Sequence, residues 1–119
     1  MKEYVKCAKD MLDFIEKSPT CFQVVANVSA ALTKEGYRKL EEREDWELTP
    51  GQGYYVTRND SSLIAFRIPK EGCPAGFHLT AAHSDSPSFK LKENPEIAVE
   101  NLYVKLNTEK YSGMILSTW

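Results

Sequence analysis

The chain has 119 residues, 42% hydrophobic and 27% charged, a balance that fits one soluble globular domain and excludes a disordered or fibrous chain. A net charge of −2, with acidic and basic residues interspersed, leaves no electrostatic footprint for nucleic acid or an anionic membrane surface, so neither is expected as a partner. No run approaches the ~18 apolar residues of a membrane span and the opening MKEYVKCAKDMLDF is too charged for a signal-peptide core, so a cytoplasmic protein is expected.

Tyr4, Ala8, Met11 and Ile15 recur at helical spacing, widened by Val5 and Leu12, and predict an amphipathic helix over residues 2–17. Pro19 then forces Ser18 out of the helical region. Thr20 and Gln23 have the spacing of a capping box that opens a second helix carrying Phe22, Val25, Val28 and Leu32. That helix should close near Gly36, where glycine can adopt a left-handed backbone.

Beyond the charged stretch LEERED the pattern turns to short β-type runs. YYVTR and SLIAFRI, joined by NDS, predict a hairpin over residues 54–68, and PKEGCPAG reads as a loop. FHLTAA, residues 77–82, is mostly apolar, as a strand buried on both faces would be. SFKLK predicts a further strand, ENPE a turn, and IAVENLYVKLN a last strand in which Leu102, Val104 and Leu106 alternate with Tyr103 and Lys105. The end, GMILSTW, is apolar where chains commonly finish polar, which leads us to expect a sequence cut inside a larger fold. Cys7, Cys21 and Cys73 are too few and too scattered for a disulfide framework, and read as thiols in a reducing compartment.

Two histidines are available for chemistry. His78 falls within the expected strand and reads as a histidine satisfied there. His83 falls just past the strand's end, where open α/β sheets hold ligands and catalytic groups. Asp85 is two positions on. In an extended segment such residues project to one side, so the carboxylate can accept a hydrogen bond from one imidazole nitrogen and make the other a better metal donor. Alone, His-X-Asp is half of a metal site, since zinc needs three or four ligands. The cluster Glu41, Glu42, Glu44 and Asp45, interleaved with arginine, reads as solvated surface. No phosphate-binding glycine loop, serine nucleophile elbow or Cys-His pairing of recognisable spacing occurs.

TAAHSDSPSFKLK resembles the first metal-binding motif of the aspartyl aminopeptidase family of zinc metallopeptidases, Ala-His-Thr/Ser-Asp-Ser-Pro followed by a short strand. FIEKSPTCFQVVANVSAALTKEGYRKL is similar to the family's opening, YYVTRNDSSLIAF to its hairpin, and EKYSGMILSTW to the segment leading to its next metal ligand. The likeness covers nearly the whole chain in order. It implies a cytosolic enzyme that removes single N-terminal residues, acidic by preference, from peptides, and works as a homo-oligomer built from dimers. It implies two zinc ions, with His83 a metal ligand and Asp85 the catalytic-centre carboxylate that orients it. The implied fold is α/β: residues 1–90 form the amino-terminal part of a three-layer α/β/α catalytic domain, and residues 91–119 begin a β-rich dimerisation domain. There are departures. Cys21 and Gln23 stand where many members carry proline and histidine, and Ser112 replaces the first glycine of a usual Tyr-Gly-Gly. The bridging aspartate, the Glu-Glu pair, a further acidic ligand and a last histidine of the family are absent from these 119 residues. An amino-terminal fragment, inactive alone, is therefore expected, with an inert truncated paralogue that binds another protein as the alternative.

Overall fold

Helix α1 (Glu3–Glu16) forms where the apolar spacing requires it and stops one residue short of Ser18-Pro19. It buries none of its residues, so Met11 and Ile15 stay exposed. The turn that follows is held by Asn27, whose Nδ2 donates to the Lys17 carbonyl and to Ser18 Oγ, both at 2.9 Å. Helix α2 (Cys21–Lys34) starts with the expected capping box: the Gln23 amide donates to Thr20 Oγ1, and the Thr20 amide to Gln23 Oε1. It ends in a Schellman arrangement, with the Tyr37 amide on the Leu32 carbonyl, the Gly36 amide on the Thr33 carbonyl, and Gly36 at φ +81°.

The computed structural model describes residues 2–71 and 76–113, and the chain divides into two compact units between Asp85 and Ser86. Cys73, the middle of the 69–76 loop and the apolar end from residue 114 lie outside the described residues. In the first unit, β1 (Arg38–Lys39) pairs parallel with β2 (Gly53–Arg58), which pairs antiparallel with β3 (Ser62–Arg67). The hairpin is the one the sequence predicts, and its turn carries positive φ at Asn59 and Asp60. The brief β1 strand has no signal of its own, because two residues are too few to show a period.

The core lies along β2. Successive side chains of a strand face opposite ways, and Tyr54 and Tyr55 use both faces. Tyr55 is buried and meets α2, its hydroxyl 2.9 Å from Thr33 Oγ1, and α2 contributes the buried Val25. Tyr54 is fully buried. Its ring stacks on Phe66, which stacks on Trp46, and its hydroxyl accepts from the Thr49 amide at 2.7 Å. That bond holds the Tyr54 phenol below the usual tyrosine range. Gly53 is buried against the Tyr37 ring, and a Cβ there would lie 2.6 Å from Tyr37 Cδ1. Gly53→Ala should therefore cost about 1–3 kcal/mol by overpacking, read as roughly ten- to hundredfold faster hydrogen exchange of the β2 amides in the whole protein.

Two expectations are corrected. Residues 77–82 form no strand; they lack regular structure, and Phe77 and Leu79 are 94% and 90% exposed. A strand buried on both faces needs ladder partners at its sides and layers over its faces. Among the described residues no strand pairs with the outer edge of β3, so the apolar run has nothing to complete it. His78, expected within that strand, is exposed in the same irregular stretch. The second correction concerns ENPE. In the second unit β4 (Ser88–Val99) runs through it and pairs antiparallel with β5 (Tyr103–Tyr111), the register shifting between Leu91 and Glu96. Pro95 sits in this bulge, where no ladder donor is needed, and Asn107 Nδ2 donates across it to the Asn94 carbonyl at 3.3 Å. The real turn divides the run expected as one strand, at Glu100 and Asn101, with φ of 51° and 57°. Lys90 Nζ stands 3.5 Å from the centre of the Tyr111 ring, pairing the two strands through a cation–π contact.

Candidate metal centre

His83 lies in the irregular stretch after residue 76 rather than at the end of a strand, so its surroundings differ from those expected while its pairing with Asp85 does not. Nδ1 of His83 is 2.8 Å from the Asp85 carbonyl oxygen and 3.1 Å from Asp85 Oδ1. A backbone carbonyl can only accept, and so can a carboxylate. Nδ1 must therefore carry the proton and donate, which in the neutral ring leaves the lone pair on Nε2. The imidazole is 80% exposed, so Nε2 can be reached from outside. An imidazole with one nitrogen donating to a carboxylate or carbonyl and the other open is the form that ligates a metal.

The neighbouring residue ties this pair to the sheet. Ser84 Oγ donates to the carbonyl of Ser61, at the turn between β2 and β3, over 3.1 Å. Beside it, Phe14 of α1, Val25 and Val28 of α2 and Leu63 of β3 line an open apolar hollow together with His83 and Ser84. Nothing in the sequence signals the Ser84 bond, since its two partners are 23 positions apart and both are serines.

The donor set fits zinc in kind and falls short in number. Among the described residues no three His, Cys, Asp or Glu side chains come together closely enough to hold a metal ion. The expected contribution of this chain is one ligand and its orienting carboxylate, against the three or four protein ligands of a zinc site. Cys7 is an exposed free thiol and Cys21 a half-buried one.

The acidic cluster behaves as surface. Glu42 forms a two-pronged ion pair with Arg58, and Lys39 reaches Glu41 at 3.4 Å. The Arg58 guanidinium holds the Glu42 carboxyl below the usual glutamate range. A depressed carboxyl pKa contributes stability above its unfolded value and loses it as pH falls through the folded value; here water screens both groups and the effect is small. Among the described residues no helix is long and apolar enough to cross a membrane.

Comparison with known proteins adds a family to this geometry. The sequence profile described as aminopeptidase I zinc metalloprotease (M18) matches residues 14–119. The probable M18 family aminopeptidase 2 of Clostridium novyi is 48% identical over 120 residues, covering 100% of this chain and 28% of that protein. Aspartyl aminopeptidase 1 of Schizosaccharomyces pombe is 41% identical over 116 residues, with 95% and 24% covered. Among solved structures, a cryo-EM structure of the Ape4 and Nbr1 complex superposes with a TM-score of 0.84 at 41% identity, over 95% of this chain and 22% of that one. The S. cerevisiae mApe1 dodecamer superposes with a TM-score of 0.72 at 26% identity, over 94% and 26%. The chain thus spans about a quarter of the length of the curated relatives it matches.

Proposed function

This chain belongs to the aminopeptidase I zinc metalloprotease (M18) family, and on that premise we propose that the whole protein is a zinc-dependent aminopeptidase that removes single N-terminal residues, acidic ones by preference, from peptides. The observation that carries the proposal is the seating of His83, with Nδ1 2.8 Å from the Asp85 carbonyl oxygen and 3.1 Å from its carboxylate, which turns Nε2 outward as the open donor. In this reading Nε2 of His83 ligates one of two zinc ions and Asp85 orients the ring, while the remaining ligands come from sequence beyond these 119 residues. Zinc, when bound, supplies the polarisation of the scissile carbonyl and the activation of water on which metal-assisted peptide hydrolysis rests. Asp85 keeps the proton on Nδ1, so that Nε2 stays a donor throughout turnover.

The acidic preference is supported by the name of the S. pombe relative. Residues 1–90 form the amino-terminal part of a three-layer α/β/α catalytic domain, and residues 91–119 begin a β-rich dimerisation domain. The assembly is a homo-oligomer in the cytoplasm; the dodecamer among the similar structures supports the oligomer. The 119 residues by themselves are inactive, for want of ligands.

The test is chelation of the whole protein, assayed on peptides that differ in their first residue. Removal of metal should abolish release of the N-terminal residue, zinc should restore it, and aspartate or glutamate should be released fastest. Full activity in the presence of chelator would refute the metallo-aminopeptidase reading.

A further inference from the structure

His83, Ser84 and Asp85 are consecutive, yet their bonds serve two purposes. His83 and Asp85 bond to each other, which fixes the ring relative to its own segment. Ser84 bonds elsewhere, to the Ser61 carbonyl. Ser61 is itself held: its amide donates to the Arg58 carbonyl at 3.2 Å, closing the turn whose Asn59 and Asp60 have φ of 51° and 52°. The stretch from 77 to 87 has no regular structure, so no ladder of backbone bonds sets the position of His83. The Ser84 bond adds a tie to the sheet between the two members of the pair, and a ligand held in place before binding binds more tightly than one that must be ordered on binding.

We infer that Ser84 is a positioning residue, whose hydroxyl moors the His83–Asp85 pair to the β2–β3 turn and thereby sets where Nε2 stands for metal binding. Ser84 is half-buried, among the residues that line the apolar hollow, so water competes poorly for this bond. The inference rests on the metallo-aminopeptidase reading for what Nε2 binds.

The experiment is zinc affinity of the whole protein, measured by competition with a chromophoric chelator, for the wild type and for Ser84→Ala, Ser84→Thr and His83→Ala. One neutral hydrogen bond is at stake, so Ser84→Ala should weaken zinc binding about three- to tenfold. Ser84→Thr keeps the hydroxyl and should restore most of it. Thermal unfolding of the metal-free proteins should fall by no more than a few degrees in Ser84→Ala, about what one neutral hydrogen bond contributes, and the loss of zinc affinity should persist at temperatures where every variant is fully folded. Wild-type affinity in Ser84→Ala would overturn the inference. So would equal weakening in the alanine and threonine variants, or a loss of zinc that merely follows a lower unfolding temperature. Unchanged zinc content in His83→Ala would overturn the reading of His83 itself, and the inference with it, so the two failures are distinguishable.

Discussion

His83→Ala in the whole protein should remove zinc from one site and lower kcat on the order of 10³-fold, because a metal's stabilisation of the reacting carbonyl is worth several kcal/mol and each ~1.4 kcal/mol is tenfold. The substitution deletes the Nε2 donor and, with it, the Nδ1 bonds to the Asp85 carbonyl and carboxylate. His78 serves as the control. It lies five positions earlier in the same irregular stretch and is exposed, so His78→Ala should keep its zinc. Elemental analysis of the purified variants beside a peptide-hydrolysis assay checks both, and wild-type zinc in His83→Ala would remove His83 from the ligand set.

Asp85→Asn should have a smaller effect, a loss of roughly 10–100-fold in zinc affinity, the usual consequence of removing a partner that orients a ligating histidine. The reason it is smaller is on the backbone. The Asp85 carbonyl, at 2.8 Å, still accepts from Nδ1 and keeps the tautomer, while the charge that strengthens Nε2 as a donor is gone. An asparagine that turned its NH₂ toward the ring would instead compete with Nδ1–H and loosen the pairing. Zinc competition on the variant reads the change directly. An affinity equal to that of the wild type would mean that the carbonyl alone orients the ring.

What could be read from the sequence was what depends on near neighbours. Both helices follow from apolar spacing and from caps within a few residues, Thr20 with Gln23 and Gly36 after Lys34, and the β2–β3 hairpin from a short polar connection between two β-type runs. The His83–Asp85 pair was legible for the same reason, since residues two apart need no tertiary contact to meet. The misreadings concern partners. FHLTAA carries the composition of a buried strand, but burial depends on layers and ladder partners that are absent among the described residues. Pro95 suggests a turn by its local chemistry, whereas the antiparallel pairing of β4 and β5 absorbs it in a bulge and turns at Glu100–Asn101, which lacks both glycine and proline. The Ser84–Ser61 bond and the Glu42–Arg58 pair join positions that no periodicity connects.

The central claim is that Nε2 of His83 is a zinc ligand, and anomalous X-ray scattering from crystals of the whole protein, recorded on either side of the zinc absorption edge, tests it most directly. The account predicts an anomalous peak about 2.0–2.1 Å from Nε2, with Nδ1 still turned to Asp85. A zinc peak remote from His83, or one bonded to Nδ1 with the Asp85 pairing broken, would contradict it.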